Sequence, residues 1–411
     1  GEWWLTTYDT VVYGSMDFKT WYKIGEQPGF PTGECPSFFE LPRATPGSQP
    51  HPTAETPTHV HKCSHGGKDW MQVGSYTPNG PHLAGTWTAT PGVSFAESII
   101  DVGSYYASKD FYDPVKKRRI NWGWAQVPPA STQSLPREVT WDAQLQQLVF
   151  SPLEEQATLR GDALAAMGKT HLNPGSLPVK LAKSDAAGQS ETQVVFSLPQ
   201  GACNLGVRLT TSSPTSALFN IDFIPNANTS SPTWEVNVGA ETKTAAHVMQ
   251  SYDLPGDDYN VTNVDYTDFA TCEAACNGDA KCVAWTYVVR PPLHASCCLK
   301  SSVPSPVKWS KGSIVSGVKN PQPTETSAPL RLGAGDTTLT MSLYVDNTFT
   351  EAYWQGGRVA MTLPTPVASG AGLEIVSGCD ATLESLDTWE VKSIWVDPEE
   401  VLRTPRLDGK V

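Results

Sequence analysis

The chain has 411 residues, a formal charge of −13 and a pI near 5.1. That acidity argues against a nucleic-acid polyanion as partner, and no apolar run is long enough to span a bilayer. The length exceeds one ordinary domain, so two or three are expected.

The chain opens on Gly1-Glu2-Trp3-Trp4, with neither Met nor a basic stretch leading into an apolar one. A processed or truncated N-terminus is expected. Residues 3–8 and 11–15 read as strands around Asp9-Thr10, and residues 17–21 as a turn with aromatic anchors. Then comes Gly33-Glu34-Cys35-Pro36-Ser37-Phe38-Phe39. A carboxyl group buried beside aromatic rings has a raised pKa, as a general acid near neutral pH requires; the plainer reading is a solvated surface Glu. Residues 45–58, rich in Pro, Thr and Ser, read as a surface loop or insertion. Residues 69–76 form another strand. Residues 103–113 and 118–125 make a hairpin about Pro114-Val115-Lys116-Lys117. Regular hairpins with aromatic punctuation fit propeller blades or a sandwich.

Residues 151–161 read as a short linker helix, with Pro152 at its first position and Gly161 ending it. Alternating strands follow at residues 192–198, 216–223, 338–346 and 386–391, a pattern that suits an antiparallel sandwich. With 14 Trp, 33 Gly and 34 Pro, short strands and tight turns are expected to dominate. Wide aromatic rings also floor sugar sites, although an aromatic core is their commoner use.

Nine cysteines are present, five of them between Cys272 and Cys298. Asn228-Thr229-Ser230 and Asn260-Val261-Thr262 are glycosylation sequons. Together they favour an oxidising setting, secreted, extracellular, vacuolar or lumenal. The odd count leaves one thiol free or paired to another chain. Cys272 and Cys276 fall on one face of a short helix at i, i+4. Clustered cysteines also suit zinc, but no paired His accompanies them, so no metal is expected. Cys203 and Cys379 could bridge the sandwich. The spacing of Cys272, Cys276, Cys282, Cys297 and Cys298 resembles the PAN/apple module over residues 248–318. That resemblance implies Cys276–Cys282, and Cys272 with Cys297 or Cys298.

Four runs, taken in order, resemble glycoside hydrolase family 32, the invertases, fructan hydrolases and fructosyltransferases. They are residues 12–21, Glu34-Cys35-Pro36-Ser37-Phe38-Phe39, residues 101–124, and residues 343–358. The resemblance implies an all-β fold, a five-bladed β-propeller followed by a β-sandwich. Residues 1–150 would be the later propeller blades and 151–162 the linker helix. Residues 163–247 and 319–411 would be the sandwich, and 248–318 a disulfide-rich α+β insertion. It also implies that Glu34 is the acid/base and that Asp101 lies beside the substrate pocket; a turn role before Gly103 is the alternative for Asp101. The position three residues beyond Asp101 is Ser104, where plant members often have Lys, so leaving-group preference is left open. Cys35 either tunes Glu34 or packs as a small thiol. Trp122 and Trp124 serve either as propeller core or as sugar platform.

Retaining glycosidases use two carboxylates about 5 to 5.5 Å apart. The family's Asn-Asp-Pro-Asn nucleophile motif and its Arg-Asp-Pro motif do not occur in these 411 residues. Asn79-Gly80-Pro81 follows Glu34 and carries no Asp, and Asp9 sits in a different context. The chain is therefore expected to begin inside the third blade. A second chain or segment of the same precursor would then complete the propeller, unless the sequence is partial or catalysis has been lost. The expected activity is retaining hydrolysis of sucrose or fructans, without a cofactor. Fructosyl transfer and non-catalytic glycan or protein binding are the alternatives.

Overall fold

The computed structural model describes residues 2–27, 29–30, 32–41, 57–80, 82–90, 99–127, 131–183, 186–210, 216–225, 234–243, 248–264, 269–290, 294–304, 307–309, 313–319, 324–365 and 371–404. Three antiparallel sheets come first, each built largely from consecutive strands, as in propeller blades. The first holds Trp3–Thr6, Val11–Ser15 and Tyr22–Glu26. The second holds Glu34–Glu40, His59–His65, Lys68–Thr77 and Thr86–Ala89. The third is built on Tyr105–Asp113, Arg118–Ala125, Arg137–Asp142 and Gln147–Pro152, with Thr132–Gln133 along Arg118–Ala125. Alternation drives these strands: in Lys68–Thr77, Asp69, Met71 and Val73 turn inward while Trp70 and Gln72 stay half-exposed. Val60, Met71, Val73, Ile100, Tyr105, Val139 and Phe150 form a core shared by the second and third sheets.

The expected linker helix is a short 3₁₀ segment of six residues, Glu154–Leu159. Leu153 keeps an extended backbone (φ −64°, ψ 141°), so Pro152 closes a strand instead of opening a helix. Arg160 starts the next strand, where it donates two hydrogen bonds to Glu191.

Two sheets of seven and six strands then stack as a sandwich. Phe196, Leu339, Met341, Leu343 and Trp354 from one meet Leu205, Val207, Phe219, Ile221 and Ile375 from the other. Each such side chain contributes roughly 1.5–3 kcal/mol by leaving water. Cys203 and Cys379 are bonded. The pair ties the strand Cys203–Thr210 to the turn after its neighbour Gly372–Ser377, so the bond staples one sheet's end and does not span the two sheets.

A five-stranded sheet between Val248 and Val318 carries the helix Ala270–Gly278. Cys272 and Cys276 share the buried face of that helix and bond to Cys297 and Cys282. Adjacent strand residues point to opposite faces, so Cys297 reaches the helix while Cys298 is turned away from it. Cys298 is in none of the three disulfides found among the described residues, which corrects the pairing left open for it. The module sits between Trp234–Lys243 and Thr324–Pro329, which pair directly from Asn237↔Pro329 to Thr242↔Thr324. An insertion at a hairpin leaves the sandwich register intact.

The propeller-type sheets and the sandwich are locked together by one buried cation. Arg137 is fully buried, and its Nη2 lies 2.8 Å from both Asp101 Oδ2 and Glu351 Oε2. The same nitrogen donates to Thr362 Oγ1, and the guanidinium stacks on Tyr105 and Tyr353. Gly103 packs where a Cβ would fall 2.1 Å from Thr362 O, so only glycine permits this approach. Removing the cation would leave two carboxylates facing each other out of water. We expect Arg137→Met to lose about 3–5 kcal/mol of stability, read as the shift in urea midpoint against wild type.

Candidate active site

The strand Glu34–Glu40 does not start in regular register. Glu34 pairs with Ser64, but the next pair is Ser37↔Lys62, so Cys35 and Pro36 form a bulge. Cys35 has φ +48°, in the left-handed region. Gly33 precedes the bulge because a Cβ there would come within 2.8 Å of Cys63 Cβ and Ser64 O. A bulge of this kind re-aims one side chain, and that side chain is Glu34.

A second bulge faces the first. Register on Tyr105–Asp113 slips between Tyr106 and Lys109, and Ala107 has φ +50°. The Tyr106 hydroxyl donates to Glu34 Oε2 at 2.7 Å. Donating that bond costs the phenol its easy ionisation: the Glu34 carboxylate pushes the Tyr106 pKa up to about 12.

Both bulges are tied to one buried ion pair, Lys62 Nζ to Asp69 Oδ2 at 3.1 Å, with both side chains fully out of solvent. Lys62 also donates to Cys35 O (3.3 Å), Ser64 Oγ (2.7 Å) and Ser108 O (2.8 Å). Asp69 accepts from the amides of Ala107 (3.1 Å) and Ser108 (2.6 Å). Burial pulls the Lys62 ammonium below the usual lysine value although Asp69 opposes it. Lys109 adds a bond to Pro36 O at 2.9 Å.

The expected burial of Glu34 is not found: its side chain is exposed. Phe38 and Phe39 are too far along the strand to cover it, since four residues at about 3.3 Å each separate Phe38 by some 13 Å. Phe38 instead stacks on His59, and Phe39 lies in the core under Arg119.

Asp101 is also displaced from its expected place. It is 1% exposed, and its oxygens bind Arg137, Thr362 and the Gly103 amide. A carboxylate so enclosed fixes the joint between sheets and cannot touch a sugar.

Cys35 is half-buried, and its carbonyl, not its thiol, is the atom tied to Lys62. Trp122 and Trp124 lie on one face of their strand and line a groove of about 690 Å³ with Lys109, Phe111 and Gln133. Trp124 is opposite Tyr106 in register and 46% exposed, and Trp122 packs on Phe111. The structure thus groups Glu34, Tyr106, Lys109, Trp122 and Trp124, and separates Asp101 from them. Among the described residues no cluster of His, Cys, Asp and Glu is fit to hold a metal ion. Likewise, no described helix is long and apolar enough to cross a membrane. Asn260 is exposed on the edge strand Asp258–Val264, while Asn228 lies outside the described residues.

Lys62, Asp69 and Tyr106 were not singled out from sequence. Lys62 and Asp69 flank the hairpin turn at Gly66-Gly67, where charged residues are ordinarily solvated. The one signal available was Lys62 itself, a charge between Val60 and Cys63 in an otherwise buried strand.

With the geometry in place, comparison with known proteins is specific. Residues 4–152 match the Glycosyl hydrolases family 32 N-terminal domain, and residues 252–300 match the PAN domain. An insoluble β-fructofuranosidase isoenzyme of Arabidopsis thaliana is 32% identical over 206 residues, 46% of this chain and 36% of that protein. One from Daucus carota is 34% identical over 203 residues, 45% of this chain and 34% of that protein. The matches thus span about a third of those relatives' length. The crystal structure of fructan 1-exohydrolase IIa from Cichorium intybus superposes with a TM-score of 0.61 at 18% identity, covering 93% of this chain and 66% of that one. That likeness shows the fold, propeller sheets followed by a sandwich. The resemblances drawn from the Glu-Cys-Pro run and from the cysteine spacing both stand.

Beside the site, His61 is 1% exposed, stacked on Phe30 at 4.2 Å, and neither ring nitrogen has a hydrogen-bond partner. Burial, with the Lys62 charge adding to it, pushes its pKa down to about 4. The unfolded chain takes up this proton near pH 6.5 and the folded one only near 4, so His61 erodes stability as pH falls through that window. The loss should reach about 3 kcal/mol, and His61→Phe should remove that part of the acid sensitivity when urea midpoints are compared from pH 7 to 4.

Proposed function

We propose that this chain is part of a β-fructofuranosidase-like glycoside hydrolase that cleaves sucrose or fructans with retention. The observation that carries the reading is Glu34: a carboxylate presented on a bulge, within the Glu-Cys-Pro run, and held by the Tyr106 hydroxyl. Glu34 donates a proton to the leaving glycosidic oxygen and then takes one from water as the fructosyl-enzyme is hydrolysed. The relatives' names and the chicory fold neighbour support a fructoside as substrate.

The nucleophile in this reading is a carboxylate contributed by a segment of the same precursor outside these 411 residues. Two observations support such a segment. Glu34 has an open side where a second carboxylate and a sugar must stand. Apolar surface is exposed at both flanks, at Trp3 (55%) on the first sheet and Phe18 (62%) in the connection between two of its strands, and at Phe111 (42%) and Trp124 on the third. Further sheets laid against these flanks would bury them, close the propeller and dry the site around Glu34. Three disulfides support a secreted or vacuolar setting.

Transfer of the fructosyl group to a sugar acceptor would use the same residues. In the longer protein, Glu34→Gln should lower kcat on sucrose or 1-kestose by at least about 100-fold while thermal unfolding stays unchanged. Wild-type turnover in that variant would remove Glu34 from the chemistry. A longer protein that binds fructosides without turning them over would instead be a binding protein.

A further inference from the structure

Two non-glycine residues in left-handed backbone, Cys35 and Ala107, sit in bulges on two different sheets. Such a conformation is unfavourable for a residue with a Cβ and persists only when its surroundings over-determine it. Here the surroundings are identifiable. Lys62 binds the carbonyl of Cys35 in the first bulge and of Ser108 in the second. Asp69 binds both amides of the second bulge, Ala107 and Ser108. The two side chains join each other at 3.1 Å, so one pair clamps both bulges. The side chains set by those bulges are Glu34 and Tyr106, and they meet at 2.7 Å. Neither Lys62 nor Asp69 reaches solvent, so neither can touch a substrate.

We propose that the Lys62–Asp69 pair is the positioning device of the acid/base, and that it acts by holding the Tyr106 hydroxyl on the Glu34 carboxylate. This rests on the reading of Glu34 as acid/base. The chemical role of the contact follows from its polarity. A hydroxyl that donates to one oxygen of the carboxylate fixes the direction of the other. It therefore aims the Glu34 proton at the leaving oxygen. Asp69 and Cys35 are the other titratable groups close to Tyr106, and Lys109 is the nearby cation, bonded to Pro36 O. All belong to the same two bulges or to the clamp.

The test uses the longer, active protein. Tyr106→Phe removes one hydroxyl from a half-buried ring and should fold as wild type. It should lower kcat on sucrose about tenfold or more with KM little changed. On a nitrophenyl fructoside, whose leaving group needs no proton, the loss should largely vanish. Asp69→Asn should reproduce the same loss of kcat and the same dependence on leaving group, and the double variant should be no worse than the more impaired single one. Wild-type kcat on sucrose in Tyr106→Phe would overturn the proposal. So would an Asp69→Asn protein that is less heat-stable but keeps wild-type kcat on sucrose. If Glu34→Gln is itself fully active, the acid/base reading fails, and that result is separate from the behaviour of Tyr106 and Asp69.

Discussion

An ammonium and a carboxylate, both withdrawn from water and 3.1 Å apart, hold the site region together. Such a pair adds little net stability compared with well-packed apolar residues, because the cost of desolvating two charges roughly cancels their attraction. What Lys62 and Asp69 provide is geometry. Apart from a bond from Lys62 to the Ser64 hydroxyl, their other bonds go to backbone at Cys35, Ala107 and Ser108. Without those bonds the two bulges would relax toward ordinary strand, and Glu34 and Tyr106 would turn with them.

A second buried charge cluster does the corresponding task at the domain joint. Arg137 comes from the third sheet, Glu351 from the sandwich, and Asp101 from the segment that enters the third sheet. Main-chain bonds from Val102 and Ser104 to the Ala360 and Thr362 carbonyls reinforce it. The sandwich is thereby fixed to the edge of the strand that carries Tyr106. The cysteine-rich module leaves the sandwich through a paired hairpin, so its own disulfide core does not disturb either charge cluster.

Much of the architecture could be read from period-two alternation, as at Leu339, Met341, Leu343 and Val345, and from the i, i+4 cysteines Cys272 and Cys276. Glu34 was found through its motif, but its environment was misjudged: neighbours in sequence along a strand are not neighbours in space. Asp101 was misplaced for a related reason. Its run lies beside the site strand, yet the turn at Gly103 carries the carboxylate down into the Arg137 cluster. Lys62, Asp69 and Tyr106 come together only through cross-strand register and two bulges. No local pattern announces a bulge built on Cys35 or Ala107, because neither residue type favours left-handed backbone. The choice of Cys297 over Cys298 likewise needed the helix in place to decide which face of the strand it met.

The claim on which the account rests is that Glu34 faces the bond to be broken. The direct measurement is a crystal structure of the longer protein with an uncleaved fructoside bound. The account predicts the Glu34 carboxyl within about 2.6–3.2 Å of the glycosidic oxygen, still bonded to Tyr106, with a carboxylate from outside these residues across the anomeric carbon. A fructoside bound away from Glu34, or a Glu34 still open to bulk water with the ligand in place, would contradict it.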